Sequence, residues 1–237
     1  MTLGELIDAV RADSDDRQKA IGATGDAGLL SKTRDIVRWL NEAQAEAAVR
    51  ARLIYDDTQT IDLTAGVSSY PFTGLFEITR ATAYRKLTEA GVDPIAEPAT
   101  YQRRGDVLTA TDQDTLDREC PYWRQDTWQG CAYVQEDTRI YLPGVLKRDY
   151  LLRLEGYRLP VDMVQTSDKP EIAPIHHKEL VHWALHRAYS KPDADIFNPG
   201  KAATAEKKFE NYFGFKPDAA RGQRNQANRP HHVRSYF

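Results

Sequence analysis

Apolar residues recur at helical spacing near both ends of this chain and at strand spacing in its middle, which excludes all-helical and all-β folds alike. Thr2-Leu3-Gly4-Glu5 has the capping-box pattern, and Leu3, Leu6, Ile7 and Val10 follow on one helical face, predicting a short helix to about Asp13. Residues 22–28, rich in glycine, read as a loop, after which Ser31 is expected to cap a long helix reaching about Tyr55. Its stripe of Ile36, Val37, Leu40, Ala43, Ala47, Ala48, Ala51 and Ile54 is narrow and rich in small residues, which permits close helix approach. Trp39 falls off that stripe, so it is expected half exposed or on a second contact surface, a possible subunit interface. Near the other end Leu180, Val181, Ala184, Leu185 and Ala188 form a further stripe, which Pro192 stops. Asn198-Pro199 caps and opens a last helix, with Ala202, Ala205, Phe209, Tyr212 and Phe213 on its apolar face and Gly214 at its end.

From Thr58 the period becomes two. Strands are expected over residues 59–64, 67–72, 76–84, 132–135, 139–142 and 150–155, separated by turns such as Ala65-Gly66, Glu136-Asp137 and Pro143-Gly144. Short strands with turn signals of this kind predict an antiparallel sandwich or barrel. Between them, residues 85–130 form a long polar stretch holding Trp123 and Trp128, read as an insertion that meets something. The expected class is α+β: a helical bundle from N- and C-terminal helices, an inserted antiparallel β-sandwich or barrel domain, and an extended C-terminal arm. The expected boundaries are 1–57 and 161–215 for the bundle helices, 58–160 for the β domain with its 85–130 insertion, and 216–237 for the arm.

Composition narrows the function classes. The net charge of −3, from 32 basic and 35 acidic residues, does not mark the whole chain as a nucleic-acid binder. A mean hydropathy of −0.62 beside 41% hydrophobic residues implies a large wetted surface around a real core. An elongated subunit, or one whose burial is completed by neighbours, reads this way. No run approaches the ~18 apolar residues of a membrane span, and the start lacks a signal-peptide pattern. Cys120 and Cys131 are too few for a disulfide framework and too far apart for a CxxC motif, so both are expected reduced. The expectation is a soluble protein made in a cytoplasm.

Patterns that suggest chemistry are weak. His182 and His186 lie four apart on a helix, a spacing that lets two imidazoles share a metal. His182-Trp-Ala-Leu-His186 lacks the glutamate of a zincin motif, however, and Lys178 one turn earlier would repel a cation. Pro192-Asp193 followed by Glu206-Lys207-Lys208 matches the loose string of a metal-dependent nuclease. That chemistry needs its acids and lysine at adjacent strand ends, whereas Glu206 and Lys208 fall in a helix. Asp13, Asp15 and Asp16 read as a charged helix end, and the 22–28 glycines lack a phosphate loop's preceding strand and following Gly-Lys-Ser/Thr. There is no GxSxG elbow. No catalytic residue, metal or cofactor is expected.

The C-terminal segment differs in kind. Residues 221–237 combine Arg221, Arg224, Arg229, His231 and Arg234 with the apolar Val233, Tyr236 and Phe237, the composition of an arm that folds on a partner. A frayed terminus is the plain alternative, and a nucleic-acid tail is a third reading.

Arg38-Trp39-Leu40-Asn41-Glu42-Ala43 opens the long helix, Tyr70-Pro71-Phe72 precedes a strand, and Arg139-Ile-Tyr-Leu-Pro143 leads to Leu152-Arg-Leu-Glu-Gly-Tyr157. Lys169-Pro-Glu-Ile-Ala-Pro174 then returns the chain to helix. This layout, over residues 30–214, resembles the tailed-phage head-to-tail adaptor (neck connector) family, which includes the tail tubular protein A of T7-like podophages. The resemblance implies a structural virion subunit and not an enzyme. It implies a homo-oligomeric ring of twelve, assembled in the host cytoplasm, between the portal protein and the next tail component, a nozzle or stopper. Genome DNA would pass through the lumen without sequence-specific binding. It further implies a portal-binding role for the arm residues Arg221, Arg224, Arg229, His231, Val233, Arg234, Tyr236 and Phe237, and tail-side contacts at Trp123 and Trp128. Two readings compete: a metal-dependent nuclease or hydrolase of a phage particle, and a DNA-binding regulator using the basic tail.

Overall fold

The structure, a computed structural model, describes residues 1–16, 25–26, 29–86, 105–128, 130–192 and 196–217. The described part of the chain divides into a helical unit, Met1–Ile54 with Leu159–Pro217, and a β unit, Tyr55–Arg158. Together they make an α+β protein with five α-helices and a seven-stranded mixed sheet among the described residues.

In the helical unit, α1 (Leu3–Asp13) starts where its capping box dictates. The Thr2 hydroxyl accepts from the Glu5 amide at 3.3 Å, and the Glu5 carboxylate accepts from the Thr2 amide at 3.0 Å. The next helix, α2 (Thr33–Ala51), is capped from a distance. Ser31 is not its cap: Lys32 holds that position and supplies no side-chain bond. Instead the amides of Leu30 and Ser31 donate to the buried Asp16 carboxylate at 2.6 and 2.8 Å. The Thr33 amide donates to Asp26 at 3.1 Å. Hydrogen bonding from the Thr33 hydroxyl, opposed by partial desolvation and helped by Arg11, keeps the Asp26 carboxyl below its ordinary pKa. The helix ends at Arg52, in the left-handed region at φ 51°.

After a 3-10 turn (Pro174–Glu179) come α4 (Leu180–Tyr189) and α5 (Pro199–Phe213). The Asn198 side chain caps α5 by accepting from the Lys201 amide at 3.0 Å. α4 packs against α1, α2 and α5, and the buried set runs from Leu3 and Leu6 through Ile36 and Leu40 to Leu180 and Phe209. Because α2 is covered by α1, α4 and α5, its buried face is wider than one stripe. Trp39 therefore lies inside this core at 3% exposure, neither half exposed nor on an outer surface.

In the β unit the strands are β1 (Tyr55–Leu63), β2 (Ser69–Pro71), β3 (Glu77–Arg85), β4 (Asp106–Thr111), β5 (Ala132–Gln135), β6 (Arg139–Tyr141) and β7 (Tyr150–Tyr157). Their order is β1-β7-β3-β4-β5-β6-β2. The sheet was expected to be antiparallel; β4 and β5 instead pair parallel, Thr109 opposite Ala132. A parallel pair needs a crossover, and the connection through α3 (Gln113–Glu119) is long enough to provide one. Neither β4 nor α3 was anticipated in the 85–130 stretch; its residues 87–104 and 129 lie outside the described residues. Leu152 and Leu154 of β7 and Ala81 and Ala83 of β3 share one buried face, the period-two pattern of a half-covered sheet. Gly156 is demanded by close approach, since a Cβ there would sit 2.1 Å from the Glu77 carbonyl oxygen.

Candidate functional site

The histidine pair is spent on helix packing. His182 Nε2 lies 3.5 Å from Glu179, and His186 Nδ1 bonds the Ala202 carbonyl at 3.1 Å with Glu206 at 3.8 Å. The two imidazoles thus turn to different partners. Among the described residues no group of three His, Cys, Asp or Glu side chains gathers as a ligand set. Burial lowers the His182 pKa from its ordinary value; Glu179 pulls it upward, and Lys208 adds to the lowering. Glu206 and Lys208 both sit within the helix α5 and not in a strand, and Asp193 lies outside the described residues.

The tryptophans of the 85–130 stretch are both buried, at 7% for Trp123 and 6% for Trp128. Trp123 packs with Leu116 and Val134, donates its indole N–H to Asp117 at 2.8 Å, and carries the Arg124 guanidinium 4.2 Å from its ring centre. Hydrogen bonds from Arg124 and Trp123 hold the Asp117 carboxyl below its ordinary pKa. Trp128 stands edge-on to Tyr150, ring centres 5.1 Å apart, and donates to the Ala132 carbonyl at 3.3 Å. Both rings complete the packing of their own unit. Cys120 and Cys131 carry free, exposed thiols. Arg221, Arg224, Arg229, His231, Val233, Arg234, Tyr236 and Phe237 lie outside the described residues.

What the helical unit does present is a groove of about 660 Å³. Its floor is α4, with His182, Leu185 and Tyr189; Asp13 of α1 stands on one wall, and Lys201, Thr204 and Lys208 of α5 line the other. α1 and α5 both pack on α4, which leaves the channel between them. Residues 201, 204 and 208 fall at helical spacing on one side of α5, because Ala202, Ala205 and Phe209 occupy the buried side.

Two polar devices escaped the sequence reading. Asn41 mimics a backbone partner for the return segment, donating to the Met163 carbonyl at 2.9 Å and accepting from the Met163 amide at 3.0 Å. Fully buried Gln44 adds a bond to the Val161 carbonyl at 2.9 Å. Arg50 is the second device: it binds Glu46 at 3.1 Å, Glu210 at 3.7 Å and the Gly214 carbonyl at 3.3 Å. Its guanidinium also lies 5.2 Å from the ring centres of Trp183 and Phe209. No sequence cue set either apart, because Arg34, Asp35, Arg38, Asn41, Glu42, Gln44, Glu46 and Arg50 are all polar within one helix.

The segment held by Asn41 and Gln44 turns apolar side chains outward. Val161 and Val164 are 72% and 79% exposed, with Met163 buried between them. Ile175 and Phe215 are similarly exposed, at 75% and 79%. No helix is long and apolar enough to cross a membrane among the described residues.

No curated protein matches the chain. A family profile does, described as SU10 adaptor protein and spanning residues 1–234. With nearly the full length matched, the chain belongs to the SU10 adaptor protein family, the structural head-to-tail adaptors of phage particles.

Proposed function

We propose that the chain is one subunit of a ring at the head–tail joint of a tailed phage, docked between the portal protein and the next tail component. The match of residues 1–234 to the adaptor family carries this reading. The open apolar side chains of the helical unit support it, because a chain completed by neighbours leaves such residues uncovered when alone. In this reading the helical unit acts as the family's bundle and the seven-stranded sheet as its sandwich or barrel. The finer likeness to the tail tubular protein A of T7-like podophages, and with it a ring of twelve, rests on the layout of the chain. Residues 221–237 dock into the portal, their arginines pairing with acidic side chains and Val233, Tyr236 and Phe237 entering apolar pockets. Repetition around the ring multiplies weak contacts, since each docked arm raises the effective concentration of the next. The slightly acidic net charge of −3 keeps passing DNA from adhering to the lumen.

The test is to remove the gene from an infecting phage. DNA-filled heads without attached tails are expected, with tails restored by the full chain and not by a chain ending at residue 217. Normal tailed particles from the deleted phage would reject the proposal.

A further inference from the structure

The two helices flanking the groove carry opposite charge on their outer sides. On α1, Glu5, Asp8, Ala12 and Asp13 are exposed, and exposed Asp15 follows its end. On α5, Lys201, Thr204, Lys207 and Lys208 are exposed. Among the described residues Asp8, Asp13, Asp15, Lys201, Lys207 and Lys208 enter no ion pair, whereas the charges where α2 meets α4 and α5 are matched. Lys191 pairs with Asp35 at 3.2 Å, Arg187 with Glu42 at 3.0 Å, and Lys216 with Glu46 at 3.2 Å. Charges neutralised inside the unit need no partner; the two rows segregated by sign remain unmatched within their own chain.

The geometry of the rows matches as well. Lys201 and Lys208 are two helical turns apart, about 10 Å, with short Thr204 between them. Glu5, Asp8 and Ala12 follow one another along the face of α1 opposite its buried Leu3, Leu6 and Val10, over a similar length. Ala12, the small residue of that face, lets another backbone come close.

We propose that the groove between α1 and α5 receives the outer face of α1 from a second copy of this chain. The acids of that helix then lie along Lys201 and Lys208. The proposal rests on the adaptor reading and names the surfaces through which neighbouring subunits meet. Donor face and acceptor groove are different parts of one chain, so the contact is head to tail, and repetition closes a ring where the rotation permits. His182 lines the groove but is held by Glu179, and Lys201 lies 5.4 Å from the Tyr189 ring centre, so Lys201 and Lys208 are the groove's lysines and neither is in an ion pair among the described residues.

A carbodiimide, which joins a carboxylate directly to an amine in contact with it, reads this interface in purified phage particles. The expected product is a dimer of this chain in which a peptide from residues 3–16 is bonded to Lys201 or Lys208 of another copy. Dimers joined only elsewhere, bonds from these lysines to a different virion protein, or no dimer would overturn the interface while leaving the adaptor reading standing. Particles that lack the chain altogether would overturn both. Charge reversal gives an independent readout with surface residues that the fold does not need. Asp8→Lys with Asp15→Lys, or Lys201→Glu with Lys208→Glu, should each cut incorporation into particles about tenfold, from the loss and reversal of two pairs. Supplying both variants together should restore it, because each then offers the other a matching face. Incorporation of either variant alone at the level of the unaltered chain would overturn the proposal.

Discussion

Replacing Asn41 by alanine removes both hydrogen bonds that hold Met163 against α2, at 2.9 and 3.0 Å. Met163 is 3% exposed, so water does not easily replace the lost partner. Two neutral bonds at about 1 kcal/mol each, with some cost for the partners left unpaired, give a local loss of about 2–3 kcal/mol. Gln44 retains its bond to Val161 and limits the opening to the segment around Met163. Converted at 1.4 kcal/mol per decade, the loss predicts amide exchange at Met163 faster by about 30- to 150-fold. Native-state hydrogen exchange is the suitable assay, because a chain of two units does not give one well-defined unfolding free energy. Leu152 in β7, which belongs to the other unit, serves as the internal control and should not change. Met163 exchange within about threefold of the unaltered chain would refute the reasoning, since a net bond energy near 1 kcal/mol could not then apply.

Two further outcomes follow from the packing and the charges. Gly156→Ala places a methyl group 2.1 Å from the Glu77 carbonyl oxygen and 3.0 Å from Ile78 Cα, so β7 must separate from β3. A destabilisation of at least about 3 kcal/mol is expected, read as lost exchange protection in the sheet with protection in α2 retained. For His182, burial puts the folded-state pKa below the ordinary value of 6.5, so the unfolded chain binds the proton more readily. Its contribution is neutral above that pH and destabilising as the pH falls through and below it. The stability lost between neutral and mildly acidic pH should therefore be smaller in His182→Gln than in the unaltered chain; an equal loss would count against the assignment.

Local signals were the readable ones. The Thr2–Glu5 capping box, the Asn198 cap and the alternation in β7 each depend on residues close in sequence, and each appears in the structure. Ser31 failed as a cap because its own amide is held by Asp16 while Asp26 takes the first helical amide, at Thr33, and neither contact follows from a local pattern. Trp39, off the single stripe of α2, is buried because that helix is packed from several sides, the second contact surface that its position called for. β4 was hidden by polarity: only Leu108 is buried in Asp106–Thr111, and its place is set by β3 and β5 at long range. The groove combines α1 with the distant pair α4 and α5, so its lysines read as ordinary surface charge until α1 and α5 are seen on either side of α4.

An adaptor subunit is defined by its position in the particle. Electron microscopy of phage particles carrying a gold-labelled tag on this chain measures it directly. Label is expected only at the joint between head and tail, on every intact particle. Label along the capsid shell, at the distal tail tip, or only in unassembled cell extract would contradict it.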